Sequence, residues 1–299
     1  MSVNLLVKIF GFVVVAVIVV LAVFLLPAHI QVRSVAPDLP SEVSLRTLLG
    51  VPNAPVSVKY ITTSTQRLQP NSLSHNSVLI EWASGDLVML DAGMDEPAAL
   101  EFGELILAMR DGDMPVVNGT ISGLLGEDIK RVKAVGFTHL HIDHTQGLIN
   151  FCARRGTGAT LLQTDYQAKL HNFNTTEGAA IVERSCLEPE IIRSDGLILF
   201  DQFPGLGMVP LGGHTPGSTL FVVADDERLL LFPGDTTNNK GDILHDRGKG
   251  FMYSYLIVPE NTARTSQLRG WLRDLDMNED MEVVVAHDLQ NFEQVLEPF

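Results

Sequence analysis

The chain has 299 residues, 45% of them apolar, and a formal charge of −15 from 36 acidic and 21 basic side chains. That balance argues against a nucleic-acid-binding face, which requires a basic patch. Cys152 and Cys186 are too few for a disulfide scaffold and lack CxxC spacing, so buried free thiols are the expected state, with pairing open if the domain is exported.

The run from Ile9 to Leu26 is apolar or glycine throughout and carries no charge. At about 1.5 Å per residue such a helix is about 27 Å long, close to the ~30 Å hydrocarbon core of a bilayer. It is too long for an ordinary signal-peptide core, and no good cleavage site follows it. An uncleaved, single-pass anchor is expected over residues 1–27, in contact with lipid through residues 9–26. Lys8 before the span gives a slight bias to a cytoplasmic N-terminus and an extracytoplasmic catalytic domain. Residues 28–54, with Pro37, Pro40 and Pro52, read as a linker or a collar lying against the domain. The remainder, 55–299, reads as one catalytic domain.

Strand-like runs follow at Val56 to Thr65, Ser77 to Trp82 and Asp86 to Leu90, the last ending in the turn signal Asp91-Ala92-Gly93. Helical spacing covers Glu96 to Arg110 and Thr120 to Arg131. Further strands are expected at Lys133 to Thr138, Leu197 to Phe200, Met208 to Leu211, Thr219 to Ala224, Arg228 to Phe232 and Glu282 to Ala286. Asn261 is placed to cap a helix whose Leu268, Trp271, Leu272 and Leu275 share one face. Strand pairs with interspersed helices suggest sheets covered by helices, in layers.

The chemistry concentrates in Thr138-His139-Leu140-His141-Ile142-Asp143-His144. On an extended segment His139 and His141 project to the same side, while Asp143 and His144 follow where the strand gives way to a turn. Imidazole and carboxylate together suit zinc or iron. A chance histidine cluster is the competing reading, and the later strand exits weigh against it: His214 follows Gly212-Gly213, Asp235 follows Pro233-Gly234, and His287 follows Val283 to Ala286. The natural sorting puts His139, His141 and His214 on one metal and Asp143, His144 and His287 on a second, with Asp235 bridging. Each cation then keeps an open position, as catalytic sites do. Asp91 is either a carboxylate holding a ligand imidazole or a turn cap. His29, His75 and His171 read as ordinary surface or packing residues.

These motifs, with Gly213-His214-Thr215-Pro216-Gly217-Ser218, Gly234-Asp235-Thr236 and Ala286-His287-Asp288, resemble the five ordered motifs of the metallo-β-lactamase-fold hydrolases. The resemblance runs from about Val56 to the C-terminus and implies a four-layer αββα sandwich with a metal pair at one edge of its two sheets. Asp235 is similar to the bridging ligand of lactonases, hydroxyacylglutathione hydrolases and related esterases. True zinc β-lactamases usually lack that bridge, and flavo-diiron reductases usually carry glutamate where this chain has His141.

The expectation is a metal-dependent hydrolase with two divalent cations, zinc first and iron or manganese as alternatives. A hydroxide shared by the pair would attack the carbonyl of a small-molecule lactone, ester or thioester, with Asp143 and Asp235 as the catalytic carboxylates. A phosphodiesterase is the alternative; a β-lactamase, a mononuclear-iron persulfide dioxygenase and a non-enzymatic binding protein rank below it. His245, Tyr253 and Tyr255, in the long interval before His287, are candidate substrate contacts, although that interval also reads as an ordinary surface loop.

Overall fold

The computed structural model describes residues 3–156, 158–192 and 195–299; the first two residues of the expected 1–27 anchor lie outside the described residues. The strands are β1 (Ser57–Arg67), β2 (Ser72–Glu81), β3 (Leu87–Leu90), β4 (Val116–Val117), β5 (Val132–Gly136), β6 (Ala159–Thr164), β7 (Leu187–Ile192), β8 (Ile198–Leu199), β9 (Leu206–Pro210), β10 (Thr219–Asp225), β11 (Arg228–Phe232), β12 (Met281–Val283) and β13 (Glu297–Pro298). One eight-stranded sheet has the order β13-β1-β2-β3-β5-β6-β7 with β4 beside β1, and a five-stranded sheet has the order β12-β11-β10-β9-β8.

Period-two alternation explains why the sheets stack. Val78, Ile80, Val88 and Leu90 of the first sheet meet Phe221, Val223, Leu230 and Phe232 of the second in a core between the sheets. Their neighbours Leu79, Leu87 and Met89 face outward beneath helices with Ile121, Leu148 and Phe151. In the second sheet Leu220, Val222, Leu229 and Leu231 likewise turn outward, against Leu268, Leu272 and Leu275 of the helix Thr262–Asp276. Because both faces of each sheet are covered, the strands read as almost continuous apolar runs. The result is the expected αββα sandwich.

Asn261 caps the helix Thr262–Asp276, its side chain accepting from Arg264 N at 3.2 Å. The stretch Thr120 to Arg131 is not one helix. Ile121–Leu125 is α-helical and Gly126, with φ of 57°, turns the chain into a 3-10 segment, Gly126–Arg131. β6 and β7 went unanticipated: β7 is an edge strand whose side chains are mostly exposed, so it carries no apolar period.

One expectation is corrected. Cys152 and Cys186 are not free thiols but form a disulfide, because the helix Leu148–Arg155 lies over the start of β7 and brings their Cα atoms to 5.4 Å. The helix that carries the apolar span runs on past Leu26. One helix, Val3–Arg33, continues through Pro27 at the cost of one backbone hydrogen bond. None of its apolar window is buried, whereas Ala28, His29 and Val32 are buried against the domain. Val35, Leu45 and Leu48 continue that contact, and Arg264 Nη2 donates to Pro37 O at 2.6 Å, so residues 28–54 lie against the domain as a collar.

Candidate metal centre

Five strand exits on one edge of the sandwich supply the site. Asp91 follows β3 with φ of 57°, a left-handed conformation that aspartate tolerates. Its carboxylate thereby accepts from Thr138 N and Thr138 Oγ1, each at 2.8 Å, and from His144 Nδ1 at 2.9 Å. After β5 the chain bends at Thr138, reaches His141 in an extended conformation and turns into the short helix Ile142–Thr145. That switch places His139 Nε2 3.0 Å from His141 Nδ1 and swings Asp143 and His144 to the other side. Gly212 and Gly213, with φ of 65° and 87°, make the bend that turns His214 inward. His214 Nε2 lies 3.3 Å from His141 Nδ1.

Asp235 stands between the two sets of histidines. Its Oδ2 is 3.6 Å from His214 Nε2, and its Oδ1 is 2.8 Å from His287 Nε2 and 3.5 Å from His144 Nε2. Asp143 Oδ2 lies 3.4 Å from His287 Nε2 and 3.6 Å from His144 Nε2. All seven side chains expected at the site converge, and each is buried.

The hydrogen bonds around the cluster dictate its tautomers. The Nδ1 atoms of His144, His214 and His287 donate to Asp91, to Glu260 Oε1 at 2.6 Å and to Ser74 O at 2.8 Å. A neutral ring whose Nδ1 carries the proton presents a bare Nε2 lone pair. Those lone pairs face the oxygens of Asp143 and Asp235, an acceptor-to-acceptor arrangement that a bound cation reconciles. Asp235 Oδ1 is buried and has no well-directed hydrogen bond, despite the nearby His287 nitrogen. The residues therefore fit divalent metal ions, and three groups of ligand atoms could each hold one: His139, His141 and His214; His139, His144 and Asp235; and His75, Asp143 and His287.

The electrostatics show the same demand for positive charge. Burial lowers His141 to about 3 and carries His139 well below the imidazole range. Burial also opposes protonation of His144 and His287, yet Asp91 and Asp143 hold the first above its ordinary value and Asp235 holds up the second. Against burial, His287 and Lys249 hold Asp235 well below the carboxylate range.

His75 corrects the sequence reading. Far from being an ordinary packing residue, it projects from β2 into the cluster, with Nε2 3.8 Å from Asp143 Oδ2 and no hydrogen-bond partner. Its Nδ1 is occupied by Ser64 Oγ at 2.8 Å. Lys249 and Glu260 were also missed. Lys249 Nζ is buried 3.1 Å from Asp235 Oδ2 and 4.0 Å from Glu260 Oε1, beneath the Tyr253 ring at 5.2 Å.

Of the three candidate substrate contacts, Tyr253 faces this lysine, and burial pushes its phenol upward. Tyr255 turns instead toward the N-terminal helix: it stacks on Phe251 at 4.8 Å and its hydroxyl meets Thr262 Oγ1. His245 is exposed at the end of the helix Lys240–Leu244, with no polar side-chain partner among the described residues.

Residues 71–287 match the metallo-beta-lactamase superfamily. The chain belongs to that superfamily. The superfamily's fold and the buried His/Asp groups, which could hold divalent cations, fit a metal-dependent hydrolase. A ribonuclease of Thermus thermophilus is 28% identical over 130 residues, a match spanning 40% of this chain and 30% of the ribonuclease. Among superfamily structures, an N-acyl homoserine lactone hydrolase with N-hexanoyl-L-homoserine at its catalytic metal centre superposes with a TM-score of 0.60. It is 15% identical, over 82% of this chain and 98% of its own. The dizinc quorum-quenching lactonase AidC, with the same product, has a TM-score of 0.53 at 12% identity, over 77% and 86%. At these identities the likeness is one of fold.

Proposed function

We propose that the chain is a membrane-anchored, dinuclear-metal hydrolase that cleaves an ester-like bond in a lactone, ester or thioester. The observation that carries this reading is the position of Asp235, whose two oxygens reach histidines of both sets. His139, His141 and His214 would hold one cation, Asp143, His144 and His287 the other, and Asp235 both. Zinc suits the imidazole-rich first position, with iron or manganese as alternatives. Bound there, divalent cations supply Lewis acidity and lower the pKa of water toward neutrality.

The chain's own groups supply orientation and charge. Asp91, Glu260 and the Ser74 carbonyl fix the rings so that Nε2 faces inward. The Lys249 ammonium, held at Asp235 Oδ2, provides a buried positive charge for an oxyanion or a departing carboxylate, alkoxide or thiolate. Burial keeps the Tyr253 phenol protonated, so its Oη can donate a hydrogen bond.

Two observations support anchoring with the domain outside the cytoplasm. The helical segment Val7–Arg33 is long and apolar enough to cross a membrane, with mean hydropathy of 3.4 and none of its apolar window buried. The Cys152–Cys186 disulfide suits an oxidising compartment.

The test uses the full chain in detergent, stripped with a chelator and reloaded with zinc, manganese or iron, against N-acyl homoserine lactones, thioesters and p-nitrophenyl esters. Activity restored by metal supports the reading. A metal-loaded protein inert toward every carbonyl ester overturns it. The Thermus relative favours a second reading, phosphodiester hydrolysis, which turnover of an RNA oligonucleotide or bis-p-nitrophenyl phosphate would select.

A further inference from the structure

The helix Val3–Arg33 is not joined to the catalytic domain by a swivel. Its last turns dock on the segment that walls the metal centre, residues 249–257, and on the adjoining loop of His171 and Phe173: His29 Nε2 meets Tyr255 O at 3.0 Å, Gln31 Nε2 donates to His171 O at 3.2 Å, and Phe24 packs on Phe173 with centroids 4.7 Å apart. Just beyond the helix, buried Val35 lies against the Gly212 turn that aims His214. Asn174 Nδ2 also donates to Ile257 O at 3.0 Å, tying the Phe173 loop to the same wall.

That wall is apolar on its outer side. Phe251 (68% exposed), Met252 (63%), Leu256 and Ile257 face solvent, as do Leu26 and Ile30 of the docked helix. Its inner side belongs to the site. Lys249 reaches Asp235, the Tyr253 ring covers the ammonium, and Ser254 Oγ donates to Glu260 Oε2 at 2.5 Å, which in turn holds His214.

The height of this patch can be read along the helix. Tyr255 sits at the level of His29, three residues past Leu26 and therefore about 4–5 Å beyond the apolar span. The headgroup zone outside the hydrocarbon core is about 5–7 Å deep on each side. A bilayer around Val7 to Leu26 thus leaves residues 251–257 among the headgroups, with Phe251 and Met252 free to enter the acyl boundary. An exposed apolar patch continuous with an exposed apolar helix is covered by the same solvent, lipid.

We infer that residues 251–257 and the adjoining helix turn form one bilayer-contacting surface, so that the metal centre opens at the lipid headgroups and takes its ester-bearing substrate as an amphiphile from the membrane. The inference rests on the anchored-hydrolase reading. It narrows the substrate class to molecules carrying an acyl chain, with the scissile bond at headgroup depth.

The test places the full chain in nanodiscs of phosphatidylethanolamine and phosphatidylglycerol. With Cys152 and Cys186 bonded to each other, Met252→Cys offers a single free thiol for a fluorophore. Met277→Cys is the reference, at the far end of a 15-residue helix, about 24 Å from Asn261. Brominated acyl chains should quench the label at 252 and aqueous iodide should not, with the reverse at 277. A label at 252 as open to iodide as the one at 277 overturns the inference, whatever the activity.

In the same nanodiscs Met252→Glu with Leu256→Glu should lower kcat/KM for p-nitrophenyl laurate by about tenfold or more, since each change removes apolar burial worth about a tenfold factor. Turnover of water-soluble p-nitrophenyl acetate should stay within about twofold, a change too small to mark a lost interaction. Equal effects on the two esters overturn the proposed delivery from the membrane. An immersed label with neither ester cleaved upholds the surface and removes the esterase reading, so the two failures are distinguishable.

Discussion

Replacing Asp91 with asparagine tests the hydrogen-bond logic of the centre without changing its shape. The carboxylate meets three donors, Thr138 N, Thr138 Oγ1 and His144 Nδ1, and is 4% exposed. An amide offers one acceptor oxygen and one donor nitrogen, so at least one of the three contacts becomes donor against donor. If the amide oxygen replaces Oδ1 and keeps the Thr138 N contact, the NH2 group replaces Oδ2; there Thr138 Oγ1 can turn to accept, but His144 must move its proton to Nε2 and lose the lone pair aimed at Asp235. Loss of a charge-assisted hydrogen bond costs about 1.5–3 kcal/mol, and loss of a carboxylate behind a ligand histidine lowers metal affinity by about 10–100-fold. The two figures agree, because tenfold is about 1.4 kcal/mol. Asp91→Ala, which leaves all three donors unsatisfied, should cost about 3–9 kcal/mol, a large share of the ~5–15 kcal/mol available to a fold. Metal affinity is measured by competition with a chromophoric chelator and stability by thermal unfolding of the chelated protein. An Asp91→Asn protein with wild-type affinity for both metals would refute the tautomer argument, leaving Asp91 as a turn residue alone.

Three further outcomes are expected. Lys249→Met should keep both metals while kcat falls about 10²–10³-fold, the usual loss for a single oxyanion donor; a retained kcat would place the lysine outside the chemistry. His75→Ala should weaken the metal shared with Asp143 and His287 by about 10–100-fold and spare the one held by His139, His141 and His214, read by elemental analysis during chelator titration. Two metals held at wild-type affinity would return His75 to a packing role. Cys152→Ser should destabilise the full chain by about 3–4 kcal/mol, from the loop-closure entropy of a bridge spanning 34 residues. An unchanged melting temperature would mean that the tethered segment is already ordered without it.

The part of the site legible in the sequence is the part made by local geometry. His139 and His141 fall on one side of an extended segment, and Asp143 and His144 on the next turn, because a strand exit runs directly into the helix Ile142–Thr145. His214, Asp235 and His287 each follow an apolar run through glycine or at a strand end, and the sandwich brings those exits to one edge. His75 carried no such signal. It lies inside β2 rather than at an exit, and only the antiparallel pairing with β1 turns its Nδ1 to Ser64 and its Nε2 toward Asp143. Lys249 and Glu260 are separated from the motifs by a loop whose path depends on tertiary contacts, and neither sits in a periodic pattern. A lysine in an acidic chain reads as solvated surface until its neighbours are known, and here those neighbours are Asp235, Glu260 and a tyrosine ring.

The N-terminal helix shows the same division between local and tertiary information. Its apolar length was evident from composition, but proline and the polar residues after Leu26 marked a linker where the structure has a docked helix end. What overrides the proline is the burial of Ala28, His29 and Val32 against the domain, a contact that no window of sequence contains. That docking decides more than a boundary. On the proposed anchoring, a free linker would let the metal centre sample any orientation above a membrane, whereas a helix locked to the Tyr255 and Phe173 loops would hold it at one height and in one direction.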